Sequence, residues 1–140
     1  MRRFRRFRRF VDLPWRRQRL LVGTLVLSIV VRTGLRLSSF RRTATLLDLI
    51  PEATGPRPSL EDVRWATIVA NWQLPSTTCL TKGLVAHTLC RRYGHPADLY
   101  VGVDRESDGF VAHSWVESGG RVVVGDDVDL DRYEPLGVLE

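Results

Sequence analysis

Two adjacent glycines, Gly119 and Gly120, stand between two runs rich in alternating apolar residues, Phe110–Glu117 and Arg121–Gly125. A two-residue Gly-Gly loop is a strong signal for a tight hairpin, so these runs are predicted to be antiparallel neighbours. Residues 98–103 alternate Leu99, Val101 and Val103, and predict a third strand. Upstream the spacing is helical. Pro14 suits a helix start, and Trp15–Leu37 carries a basic first turn followed by an apolar middle. A short helix is expected over Phe40–Leu49. Ser59-Leu60-Glu61-Asp62 is close to a capping box and opens a helix to about Trp72. A further helix is expected over Cys79–Arg92, with Arg91 and Arg92 in its last turn and Gly94 just beyond. Helices first and an antiparallel meander after them make an α+β fold, a small antiparallel sheet with helices packed on it.

Charge divides the chain. Through residue 42 there are 13 arginines against Asp12 alone, a net of +12, and the remainder carries −7, giving the overall +5. The basic character therefore belongs to the N-terminal segment, and a nucleic-acid-binding label for the whole protein is not justified. Residues 1–13 form an Arg/Phe-rich arm, in which Arg-Arg-Phe repeats three times; it is expected to be mobile or weakly helical. Its open readings are contact with nucleic acid, with an anionic membrane surface or with an acidic partner, or a solvated arm with no dedicated role. Residues 14–50 form an N-terminal helical segment. The stretch 50–58, with three prolines and a glycine, reads as a linker before an acidic domain at 59–140. The apolar run Leu20–Val31 is 12 residues long, lacks a cleavage site after it, and falls short of the roughly 20 residues that span a bilayer. It is expected to be a buried or interface-facing helix, with no transmembrane span. Two cysteines, with no CxxC pair and no Cys/His cluster, argue against a metal site and for a reduced, cytoplasmic setting.

Cys79 is the candidate nucleophile. It falls in the first turn of its helix, where unpaired N–H groups and the helix dipole favour an anion, and where the same N–H groups could stabilise an oxyanion. Cys79, Gly83, Ala86 and Cys90 share one helix face, all of them small, so a plain packing role for Cys79 stays open. Cys90 lies about 16 Å along the helix, too far to bridge, and reads as an inert core residue. The hairpin supplies a base. If Ser118 pairs with Arg121, counting back in step sets His113 opposite Asp126, where the carboxylate would orient the imidazole. Asp127 would then point to the other face, and a one-residue slip, or a bulge at Gly125, would undo the argument. His87, mid-helix, and His95, in a turn, are weaker candidates. Asp104, Glu106 and Asp108 read as a solvated loop, and Asp129 and Asp131 as a polar tail.

The segments TTCLTKGLVAHTLCRRYGHPADLYVGV and GFVAHSWVESGGRVVVGD resemble the transglutaminase-like, papain-related fold. More narrowly they resemble the leader peptidases of lasso-peptide biosynthesis, the peptidase half of the split B protein. The family form has Ala where this chain has Ser114. The resemblance implies a Cys79–His113–Asp126 triad that cuts the leader from a ribosomally made precursor peptide, with no metal or cofactor. It also implies a separate leader-binding recognition-element protein and an ATP-dependent lasso cyclase as partners. Gln73, six residues before Cys79, sits at the spacing of the papain-like oxyanion glutamine. Two other readings stand beside it: amidase or acyl-transferase chemistry on another substrate, and a non-catalytic adaptor with a basic arm.

Overall fold

A computed structural model describes residues 2–75, 77–104 and 111–140. Five helices precede the sheet: α1 (Arg2–Val11), α2 (Trp15–Leu37), α3 (Phe40–Leu47), α4 (Leu60–Trp72) and α5 (Cys79–Arg92). The strands are β1 (Asp98–Asp104), β2 (Ala112–Ser118), β3 (Arg121–Val124) and, after a 3-10 turn at Leu130–Arg132, β4 (Tyr133–Leu139). The sheet is antiparallel throughout, in the order β3-β2-β1-β4. The expected α+β class holds among the described residues. The expected solvated-loop residues Glu106 and Asp108, and the start of the second strand at Phe110, lie outside them.

Local chemistry accounts for the helix ends. Ser59 caps α4, accepting from the Asp62 N–H at 3.2 Å, while the Asp62 carboxylate accepts from the Ser59 N–H at 3.3 Å, so aspartate completes the box. Thr78 caps α5 by accepting from the Thr81 N–H at 3.2 Å. The linker is pinned rather than loose. Arg91 donates to the Leu47 and Asp48 carbonyls at the end of α3, Arg92 donates to Pro51, and His95 bonds the Pro58 carbonyl at 2.8 Å. His95, expected in an open turn, is thus half-buried and holds the linker against the end of α5.

The N-terminal helices share the core of the rest. Val31 of α2 and Ala44 and Leu47 of α3 pack in one cluster with Val63, Leu84, Leu89, Leu99, Val116 and Val124. The inner face of α2 is polar in part, but Thr24 and Ser28 return their hydroxyls to the Leu20 and Thr24 carbonyls at 2.7 Å, which leaves a slim face for α4 and α5. At 23 residues, α2 is longer than its twelve-residue apolar run, because the helix continues through the arginines at both ends. Among the described residues it is the one helix long and apolar enough to cross a membrane. The arm is also more regular than expected: residues 2–11 are helical.

Two features of the sheet depart from expectation. β4, a strand the sequence did not predict, pairs with β1 from Tyr133 to Leu139, with Leu136 left out at a register shift. Asp104, assigned above to a solvated loop, ends β1 and is half-buried, its carboxylate 3.0 Å from Arg132.

Candidate functional site

α5 and β1 are joined by a short turn at Gly94, which has φ of +76°, so they run in opposite senses; β2 returns antiparallel to β1. The starts of α5 and β2 therefore lie at the same end of the fold, and with them Cys79 and His113. α5 approaches the sheet closely because Gly83 has no side chain: a Cβ there would stand 2.7 Å from Leu99 Cδ1 and 3.5 Å from Ser114 Oγ. Ser114 thus faces α5. Alternation along β2 then turns His113 and Trp115 to the other side of the sheet.

On that side lies an aromatic layer. Tyr100 stacks on Trp115 at 5.4 Å between centroids, and the His113 ring lies 6.3 Å from Trp115 and 5.3 Å from Tyr133. His113 is buried, and its Nε2 is 2.8 Å from the Gly125 carbonyl oxygen. A carbonyl can only accept, so Nε2 carries the proton and, in the neutral ring, Nδ1 keeps its lone pair. The backbone has taken the orienting role that the sequence assigned to a carboxylate.

The register explains why. β2 and β3 start in the expected step, Ser118↔Arg121 and Glu117↔Val122, but the next pair is Val116↔Val124. One extra residue, Val123, has entered β3, and a bulge of this kind reverses the facing of everything beyond it. Asp126 is therefore not opposite His113. Its carboxylate accepts from Arg64 Nη1 of α4 at 2.9 Å, and the same Nη1 donates to the Val123 carbonyl at 2.9 Å. Gly125, just before Asp126, has φ of +95°, and a Cβ on it would come within 2.7 Å of the Ser114 carbonyl. Only glycine fits there without displacing the backbone. Arg64 was not singled out in the sequence, and Gly125 only as a place where a bulge would undo the register. The Gly125-Asp126 pair beyond a hairpin was the one available signal.

Cys79 is half-buried at the first position of α5. Its N–H and that of Leu80 have no intrahelical acceptor, leaving two donors beside the sulfur. Cys90 is the contrast: burial pushes its thiol up to about 12, so it stays protonated at neutral pH. Gln73 is exposed at the end of α4, its amide 3.5 Å from the Val69 carbonyl. Among the described residues, no hydrogen bond joins Cys79 to His113, Asp126 or Gln73. Four buried polar atoms lack partners among the described residues: Arg32 Nε, Thr67 Oγ1, Asn71 Oδ1 and Ser114 Oγ, the last beside Gly83 on the α5 side of the sheet.

Comparison with curated proteins and with solved structures gives no match. A family model described as the transglutaminase-like superfamily matches residues 25–138. That span takes in most of α2, the linker, the Cys79 helix and all four strands, so the match and the shared core agree that these parts form one unit. The chain belongs to the transglutaminase-like superfamily.

Proposed function

We propose that this chain is a cytoplasmic cysteine peptidase that removes the leader from a ribosomally made lasso-peptide precursor, acting with a separate leader-binding protein. The observation that carries the catalytic part is the difference between its two thiols. Cys79 is half-buried at a helix N-terminus, where the first N–H groups have no acceptor within the helix, and Cys90 is sealed in the core. Membership of a superfamily in which cysteine acyl chemistry is common supports the same reading. The narrower role is supported by the likeness of the Cys79 helix, the AHSWVE strand and the basic N-terminal helix to leader peptidases.

In this reading the Cys79 sulfur attacks the scissile carbonyl, and the adjacent N–H groups receive the developing oxyanion. His113 Nδ1 takes the thiol proton and returns it to the leaving amine, and water then releases the acyl group. Because His113 lies on the sheet face opposite α5, this reading requires the Cys79 sulfur and His113 Nδ1 to meet past the sheet end that the starts of α5 and β2 share, once substrate is bound. Asp126 acts by holding the Gly125 turn through Arg64, which makes it a positioning residue.

Cleavage of a candidate precursor, with its leader-binding partner present, followed by mass spectrometry, tests this. Cys79→Ala and His113→Ala should each lower turnover by roughly 10³-fold or more. Asp126→Asn and Arg64→Gln should each cost much less, and by similar factors. If Asp126→Asn matched His113→Ala while Arg64→Gln were silent, Asp126 would contact His113 during turnover. Transfer of the acyl group to an added amine, without hydrolysis, would reassign the reaction to acyl transfer.

A further inference from the structure

The N-terminal helices present an apolar and basic surface that the peptidase reading does not use. In α1, Phe4, Phe7 and Val11 fall on one side at helical spacing and are 55–74% exposed. The exposed Arg5, Arg6 and Arg9 occupy the opposite side, and the helix has no acidic residue. The Gln18 side chain fastens this helix to α2 by donating to the Phe10, Val11 and Leu13 carbonyls at 3.0–3.1 Å. Along α2, Trp15, Val22, Val26, Ile29, Val30 and Leu37 are each 49–83% exposed, and of these Trp15, Val26 and Val30 border a cleft shared with the linker and with Thr88 and Leu89 of α5. The stripe runs the length of a helix about 34 Å long. An isolated exposed valine needs no explanation, but a continuous stripe next to an Arg/Phe helix does.

We propose that α1 and the outer face of α2 form a docking surface for an anionic lipid bilayer, with both helices lying in the plane of the headgroups. Charge selects this occupant. Thirteen arginines face one acidic residue through position 42, while the rest of the chain is net −7. An anionic surface attracts the first part and repels the second, which sets the orientation of the bound protein. The Phe side of α1 would enter the acyl boundary and its arginines reach phosphates, the division of labour of an interfacial helix. α2 lies on the surface and does not cross it, because its inner face is committed. Leu20, Leu21, Thr24, Ser28 and Val31 are buried, and Arg17 bonds Asp62 of α4 at 3.2 Å.

Co-sedimentation of the full chain with vesicles of mixed phosphatidylglycerol and phosphatidylcholine tests the proposal, against vesicles of phosphatidylcholine alone. Binding is expected to the first and not the second, and to weaken steeply with added salt. The pair Phe4→Ser with Phe7→Ser should weaken it about tenfold, and Arg5→Gln with Arg6→Gln and Arg9→Gln by at least as much. Val26→Ser with Ile29→Ser should weaken it too; both sites are exposed, and circular dichroism checks that the fold is kept. Failure of the folded wild type to bind the anionic vesicles overturns the proposal, as does equal binding to neutral ones or indifference to the Phe4 and Phe7 changes. Binding to polyglutamate but not to vesicles would assign the surface to an acidic polypeptide. A dimer that Val26→Ser with Ile29→Ser splits, with no vesicle binding, would assign it to a second copy of the chain. Either result overturns the bilayer.

Discussion

His113 has one ring nitrogen engaged and, among the described residues, no partner on the other, and the engaged one fixes the tautomer. This arrangement separates two roles that a catalytic histidine combines. Orientation is already complete in the free protein, whereas activation of Cys79 is not, since no hydrogen bond joins the two. Alkylation of Cys79 by iodoacetamide in the absence of substrate should therefore change by less than about twofold in His113→Ala, although turnover collapses. Native protein should expose one reactive thiol and denatured protein two, because Cys90 is sealed and held as the thiol. A large fall in the alkylation rate of His113→Ala would show that the pair is already closed at rest.

At the scale of elements, the hairpin end is held by geometry that tolerates little change. Gly125→Ala would place a Cβ within 2.7 Å of the Ser114 carbonyl at a φ of +95°, and is expected to cost about 2–4 kcal/mol of stability, measured by urea unfolding. The helices were legible from sequence because their end signals and periodicity agree: Ser59 with Asp62 at one start, Gly94 after Tyr93 at one end. The Gly119-Gly120 turn was legible for the same reason, both residues adopting positive φ. The bulge was not. Val122, Val123 and Val124 are chemically alike, and nothing in three consecutive valines says which is the extra one. β4 was hidden because Pro135 and Gly137 are poor strand formers; Pro135 is accommodated because β4 is an edge strand. Of the candidate site, the thiol and the imidazole could be found by residue type and position. The imidazole's partner could not, because it is a main-chain atom.

The molecule as a whole behaves as one body from α2 onward. Val31, fully buried, packs in the same cluster as Leu84 and Val116, so Val31→Ala should lower a single unfolding transition by roughly 2 kcal/mol. Two separate transitions would show that the linker divides the chain. Stability should also fall in mild acid. Burial holds His87 below its ordinary value of 6.5, with Arg91 acting in the same direction and the Ala97 backbone, Asp48 and Asp98 opposing. The unfolded chain then takes up a proton that folded His87 refuses. This contribution is complete above pH 6.5 and is lost as the pH falls below it. Thermal unfolding of wild type and His87→Gln across that range should show a steeper decline in the wild type.

The Gly125 carbonyl has a last consequence, for genetics. An alanine scan deletes side chains, and this acceptor has none to delete. Scanning would report Gly125 as a folding position, Asp126 and Arg64 as moderately sensitive, and nothing as the histidine's partner. An amide-to-ester replacement between Gly125 and Asp126, which weakens the acceptor and leaves every side chain in place, would make the partner visible.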